Sequence, residues 1–209
     1  KKSRVVTDAE KRLTSYHEAG HAITGYFCKT HDPVHQISII PRGSAGGFTM
    51  YLPEKDPSYV TKTAMNENIV CLLGGRVAEQ LVLDDISTGA SNDLQRATDT
   101  ARAMVTRYGF SERPVVYGTD PGETFLGRDF GQGKGYSENT ASEIDNEIRD
   151  IMDESYETPR RILTEHMTEL HRVAGVLMER EKISGEEFDA LMKGENLAPF
   201  GLDTPAPAA

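Results

Sequence analysis

Residues 17–21 read His17-Glu18-Ala19-Gly20-His21, two imidazoles four positions apart with a carboxylate directly after the first. On an α-helix four residues are just over one turn, so both rings leave the same face and can hold one ion. Imidazole nitrogens suit a borderline-soft cation such as Zn²⁺. Glu18 stands beside the pair, where a carboxylate can take a proton from a zinc-polarised water and pass it to a leaving amine. The chemistry written in these five residues is metal-assisted hydrolysis of an amide.

The surrounding sequence narrows the subclass. The longer zinc-binding pattern with a third histidine would need Gly at position 24 and His at position 27, where Thr24 and Phe27 stand. The reversed H-x-x-E-H order is also absent. His166, Glu169 and His171 approach it but are one residue too far apart, and positions five apart share a helical face poorly. These two histidines, and His31 and His35 around a Pro turn, read as structural. A catalytic zinc takes three protein ligands and keeps one open position, so a third ligand must come from downstream. Two acids are candidates. Glu79 follows Gly74-Gly75-Arg76, and Asp93 ends the run S-T-G-A-S-N-D (87–93). Asp93 could equally be a first-turn acid facing a helix dipole, and Glu79 a salt-bridge partner. Spacing does not choose between them.

The elements that must position these groups are mostly helices. Thr7 and Glu10 form a capping-box signature for a first helix running to about Cys28, with Leu13, Tyr16, Gly20, Ile23 and Phe27 at helical spacing. Residues 34–40 alternate and are β-branched, and 47–52 read as a second strand, giving a hairpin or small sheet. Helices are expected over 60–83 and 91–108, the latter stopped by Gly109. Residues 111–136, rich in Gly and Pro, read as a long loop. Residues 137–181 are strongly helical and interrupted at Thr158-Pro159, where two helices meet or one kinks. Ser184 with Glu187 caps a last helix that Gly194 stops, and D-T-P-A-P-A-A reads as a disordered tail.

Composition excludes some classes. Formal net charge is −10, from 33 acids against 23 bases, which argues against nucleic acid or an anionic membrane surface as partner. Apolar runs such as Ile69–Leu73 are far shorter than the ~20 residues that cross a bilayer. The start, K-K-S-R-V-V, has no apolar region of a signal peptide. Cys28 and Cys71 form no C-x-x-C pair and are expected as buried reduced thiols. G-Q-G-K-G (131–135) fails as a phosphate loop, because Arg128 and Gly135 stand where Gly and Ser or Thr are needed.

Y-H-E-A-G-H-A (16–22), S-I-I-P-R-G (38–43), G-G-R-V-A-E (74–79) and S-T-G-A-S-N-D (87–93) occur in this order, followed by M-V-T-R-Y-G-F-S-E (104–112) and F-L-G-R (125–128). Together they resemble the peptidase domain of the FtsH family, membrane-anchored ATP-dependent zinc proteases. The likeness covers about residues 7 to 193. It implies a mainly α, zincin-like peptidase domain with one small β-sheet or hairpin near the site. It implies that Asp93 is the third zinc ligand beside His17 and His21, with one Zn²⁺ per chain and Glu18 as base. Glu79 becomes a near-site acid that orients a ligand histidine. The strand at Gly47, Phe48 and Thr49 would hold substrate backbone by strand addition.

The resemblance further implies a homohexamer that degrades unfolded or misfolded cytosolic and membrane proteins. An ATPase ring N-terminal to this segment, binding ATP and Mg²⁺, would feed them in. The expected location is the bacterial cytoplasmic membrane, with the peptidase domain on the cytoplasmic side and the anchor in segments not present here. Residues 1–6 then read as linker, 7–194 as the peptidase domain (7–110 catalytic part, 111–136 loop, 137–194 C-terminal helices), and 195–209 as tail. The rival reading is a helical hexamerisation module with a non-catalytic metal site, against which the intact Glu18 argues. With no nucleotide motif of its own, the isolated chain is expected to cleave casein or flexible peptides but not a tightly folded protein. A gel-based time course with both substrates checks this, and rapid loss of the folded one contradicts it.

Overall fold

The computed structural model describes residues 6–43, 45–53, 58–117 and 136–197. Most of the linker at 1–6, F-L-G-R, G-Q-G-K-G, most of the long loop and the tail from 198 lie outside the described residues. Six α-helices and three short strands make up what is described. They are α1 (Asp8–Tyr26), β1 (Val34–Ser38), β2 (Phe48–Tyr51), α2 (Lys62–Leu83), α3 (Ser91–Thr106), α4 (Glu138–Glu165), α5 (Met167–Arg180), β3 (Lys182–Ser184) and α6 (Gly185–Met192). A short 3₁₀ turn at Thr88–Ala90 precedes α3. The chain is mainly α with one small sheet, as the sequence predicts.

α1 is the centre. Every residue from Ser15 to Gly25 is buried, so this helix is enclosed on all sides. Its start is set by the predicted capping box, in which Thr7 Oγ1 accepts from the Glu10 backbone N–H while Glu10 Oε2 accepts from the Thr7 N–H. Five buried side chains in α1 are polar, namely Ser15, His17, Glu18, His21 and Thr24. Buried polar groups cost free energy unless paired; Ser15 Oγ donates to Lys11 O within α1, other elements supply partners to His17, His21 and Glu18, and Thr24 Oγ1 has none among the described residues.

α2 runs against α1 and is the second enclosed helix. Two apolar cores meet along it. Val77 and Ala78 join Ile23, Ile37, Leu163, Leu170, Leu177, Ile183 and Phe188 in one, and Ile69, Leu72 and Leu73 join Ala101, Met104 and Ile144 in the other. The two helices touch through backbone. A Cβ added to Gly20 would lie 2.5 Å from Gly74 O, and one added to Gly74 would lie 2.7 Å from Gly20 O and 2.6 Å from Thr24 Oγ1. Only residues without side chains allow that approach.

The sheet has strand order β2-β1-β3, all antiparallel. Ile37 of β1 pairs with both Thr49 and Ile183. β3 is absent from the sequence-based expectation. Its three residues show no period, and its one signal is Ile183, fully buried between exposed Lys182 and Ser184. β2 occupies one edge of the sheet.

Of the two expectations at Thr158-Pro159, two helices meeting there is not what is found. α4 continues through Pro159, and the chain turns at His166 (φ −114°, ψ 34°), between α4 and α5. A proline inside a helix costs about 3 kcal/mol. Here Ser155, Pro159, Ile162 and Leu163 are all buried, and that packing offsets the missing hydrogen bond. Phe27 stacks on His166 at 4.0 Å between ring centroids. Gly109 (φ 61°) follows α3 and Gly194 (φ 81°) follows α6, in the positive-φ conformations that end helices.

Two identical substitutions should act in opposite directions. Gly74→Ala gains about 1 kcal/mol of helix propensity but drives a methyl into Gly20 O, and a net loss of about 1–3 kcal/mol is expected. Gly175→Ala in α5, where an added Cβ meets nothing within 4 Å, should stabilise by up to about 1 kcal/mol. Denaturant midpoints at unchanged slope measure both.

Candidate active site

His17 and His21 project from α1 toward the first turn of α3. His17 Nε2 lies 3.3 Å and His21 Nε2 3.4 Å from Asp93 Oδ2, and the two Nε2 atoms are 3.0 Å apart. All three residues are brought together, so the tertiary structure puts Asp93, not Glu79, against both imidazole nitrogens. Glu79 lies behind them. Its Oε1 is 2.7 Å from His17 Nδ1, and its Oε2 accepts from the Ser87 backbone N–H at 2.7 Å. One carboxylate thus holds the first imidazole and also the loop that leads into Asp93.

The hydrogen bonds settle the ring tautomers. His21 Nδ1 is 2.8 Å from the Cys71 carbonyl oxygen, which can only accept, so Nδ1 carries the proton. His17 Nδ1 likewise faces the Glu79 carboxylate. With both rings neutral, the two Nε2 atoms turn a lone pair toward each other and toward Asp93 Oδ2. Three such atoms at 3.0–3.4 Å repel unless a proton, as in the metal-free chain, or a metal cation lies among them. Ligands about 2.1 Å from a tetrahedral Zn²⁺ are roughly 3.4 Å apart. These residues fit that ion in type, tautomer and spacing, with both imidazoles supported by hydrogen bonds from behind.

Proton affinities follow the same field. Burial alone lowers the His17 pKa, but the carboxylates of Asp93 and Glu79 outweigh it and push the ring up to about 10. Burial alone would raise Asp93 and Glu79, yet both are held below the ordinary carboxylate range. Asp93 is held there by its bonds to His17 and His21, and Glu79 by its bonds to His17 and Ser87. Glu18 is raised, because burial outweighs the pull of His21 and His17. A raised carboxylate beside a cation site is suited to accept a proton.

Glu18 and the sheet form the opposite wall. Thr49 Oγ1 donates to Glu18 Oε2 at 2.8 Å. Gly47 puts no side chain against Glu18, since a Cβ there would stand 3.0 Å from Glu18 Oε1 and 2.7 Å from Ser38 O. Phe48 lies between them in the chain and lines the same cleft, with Arg42 over its ring. The cleft measures about 650 Å³ and holds His17, Glu18, His21, Glu79 and Asp93 together with the 45–49 segment.

Sequence reasoning passed over two contributors. Gly75 faces the imidazoles, and a Cβ on it would meet His21 Nε2 at 2.6 Å and His17 Cε1 at 2.7 Å. A Gly-Gly pair inside an apolar helix was its signal. The Cys71 carbonyl left no signal, since any residue type supplies one. Cys71 is buried and Cys28 half-buried, both free, and burial pushes each thiol up to about 12. His31, read as structural, also lines the cleft, edge-on to Tyr51.

The sequence matches the model of Peptidase family M41 over residues 4–191. The chain belongs to peptidase family M41. Among M41-type relatives, it is 53% identical over 199 residues to ATP-dependent zinc metalloprotease FtsH 1 of Thermoanaerobacter sp. (strain X514), covering 94% of this chain and 33% of the relative. It is 54% identical over 194 residues to ATP-dependent zinc metalloprotease FtsH of Caldicellulosiruptor bescii, covering 92% and 32%. It is 54% identical over 197 residues to ATP-dependent zinc metalloprotease FtsH 2 of Alkaliphilus metalliredigens, covering 93% and 29%. The chain spans about a third of the length of these curated relatives. Among the described residues no helix is long and apolar enough to cross a membrane.

The M41 site makes a proton-linkage prediction. The His17 pKa is raised from 6.5 to about 10, so the metal-free chain carries that proton at neutral pH. The stability it contributes is full below pH 6.5 and lost as pH rises through about 10. A divalent cation takes the same lone pair, so Zn²⁺ binding at pH 7.5 should release about one proton per chain. Calorimetry in buffers of different ionisation enthalpy measures this, and no proton release would contradict it.

Proposed function

We propose that this chain is the peptidase domain of a zinc-dependent endopeptidase acting on unfolded or misfolded polypeptide. The observation that carries the reading is the convergence of His17 Nε2, His21 Nε2 and Asp93 Oδ2 within 4.8 Å of one another, in the cleft that also holds Glu18. In this reading His17, His21 and Asp93 hold the ion. A Zn²⁺ ion held there would supply Lewis acidity toward a scissile carbonyl and toward the attacking water. Glu18 takes the proton from the attacking water and delivers it to the leaving amine. Its burial keeps competing solvent away. Glu79 accepts the Nδ1–H of His17 and so aims Nε2 at the ion.

The Gly47-Phe48-Thr49 segment holds substrate backbone in this reading. Two features support it. β2 is at the sheet edge, where backbone groups are open to another strand, and it borders the cleft beside Glu18. An extended chain is the form such an edge takes, which suits unfolded substrates.

The remaining proposals rest on the relatives and concern a longer protein. Their printed names include ATP dependence. We infer an ATPase segment outside residues 1–209, carrying ATP and Mg²⁺, that delivers polypeptide to this cleft. A homohexamer and a bacterial cytoplasmic membrane location, with this domain on the cytoplasmic side, complete the proposal. Residues 1–6 would then be linker, 7–194 the domain and 195–209 a tail.

Zinc per chain by elemental analysis, with casein hydrolysis alongside, tests the site. Wild type should carry about one zinc and lose activity to a chelator. Asp93→Ala should lose zinc and activity together. Glu79→Ala should keep the ion at about 10–100-fold weaker affinity. Glu18→Gln should keep zinc and lose about 10²–10⁴ in rate. Zinc lost from Glu79→Ala but retained by Asp93→Ala would make the ligand set wrong. A zinc-loaded wild type without hydrolysis would favour an assembly module.

A further inference from the structure

Glu18 must do more than sit near the cleft. A general base works only when one carboxylate oxygen points at the proton it takes, and a glutamate side chain has three torsions to fix. Its neighbours in α1 are the two imidazoles, which face Asp93 and are held from behind by Glu79 and Cys71. Neither ring bonds to the Glu18 carboxylate. Among the described residues, the side chain that does is Thr49, from the middle of β2.

The geometry is specific. Thr49 pairs with the fully buried Ile37 across the β1–β2 ladder. Its hydroxyl reaches Glu18 Oε2 at 2.8 Å and lies 3.2 Å from the Glu18 backbone carbonyl. One hydroxyl hydrogen shared between these acceptors ties the carboxylate to its own backbone. Among the described residues only Oε2 is engaged. Oε1 is left toward Gly47, where the absence of a side chain keeps the approach open. The arrangement pins one oxygen and frees the other.

We propose that Thr49 is a positioning residue for the reaction, its hydroxyl clamping Glu18 Oε2 so that Oε1 is aimed at the reacting water. This rests on the peptidase reading above. It also gives β2 a second task. If the open edge of β2 holds substrate backbone, the same strand carries the clamp on its inner side. Backbone pairing uses main-chain groups and not the Thr49 hydroxyl. Loss of the hydroxyl should therefore lower turnover and leave substrate binding alone.

The test uses the zinc-loaded chain, a quenched-fluorescence peptide and three variants, with zinc content and thermal melting measured for each. Thr49→Val keeps the β-branched shape and removes the hydroxyl. Its kcat should fall on the order of tenfold or more, the scale of a lost hydrogen bond to a charged group, with KM within about twofold and zinc retained. Thr49→Ser should restore most of kcat. Crystal structures should show Glu18 in one rotamer in Thr49→Ser and spread over several in Thr49→Val. Thr49→Ala, compared with Thr49→Ser, carries the same contrast if Thr49→Val does not fold. An unchanged kcat in Thr49→Val, a rise in KM alone, or equal loss in Thr49→Ser and Thr49→Val would each overturn the clamp. A zinc-loaded wild type that hydrolyses no peptide would instead overturn the peptidase reading.

Discussion

The site is built around the backbone contact between α1 and α2. Gly20 meets Gly74 with no room for a methyl on either, and Gly75 leaves space for the two imidazoles. Helices that pack through ordinary side chains keep their axes about 8–10 Å apart, which would leave the His17 and His21 rings without second partners. Drawn together, α2 presents the Cys71 carbonyl to His21 and the Glu79 carboxylate to His17. The apolar cores on either side press the pair together, with Val77 and Ala78 in one and Ile69 and Leu73 in the other.

That contact converts a hostile burial into a site. α1 puts two imidazoles and a carboxylate into the interior, where each would cost several kcal/mol unpaired. Glu79 offsets this at two points, since it bonds His17 with one oxygen and the Ser87 N–H with the other. The second bond fixes the turn from which α3 begins and so the place of Asp93 in its first turn. The result is three lone-pair atoms facing one another, tolerable only around positive charge. The high proton affinity of His17 and the low ones of Asp93 and Glu79 are three expressions of that arrangement.

The sheet closes the other side of the cleft with few residues. β1 has a buried seam through Ile37, shared by β2 and by β3. β2 lies at the edge next to Glu18 because it pairs with β1 alone, while β3 covers the other side of β1.

Much of this was legible in the residues. The capping boxes at Thr7 and Ser184 are found as predicted, because a cap is decided by residues three apart. The helix at 62–83 and the strand at 48–51 fall within about two residues of expectation. The pairing of His17 with His21 on one face follows from helical geometry alone. Other features depend on groups distant in the chain. Pro159 stays helical because buried neighbours outweigh a local preference. β3 is a strand only because β1 offers it a partner. Spacing left Glu79 and Asp93 open as partners of the imidazoles, since both follow a glycine-containing run. The sequence by itself determined the chemistry on α1 and the helical character of the domain, for those rest on periodicity and short-range capping. Which acid faces the imidazole lone pairs, and which supports them from behind, was decided by the tertiary structure. It depends on how closely α2 approaches α1 and where the Ser87 turn starts α3, distances that no local pattern encodes.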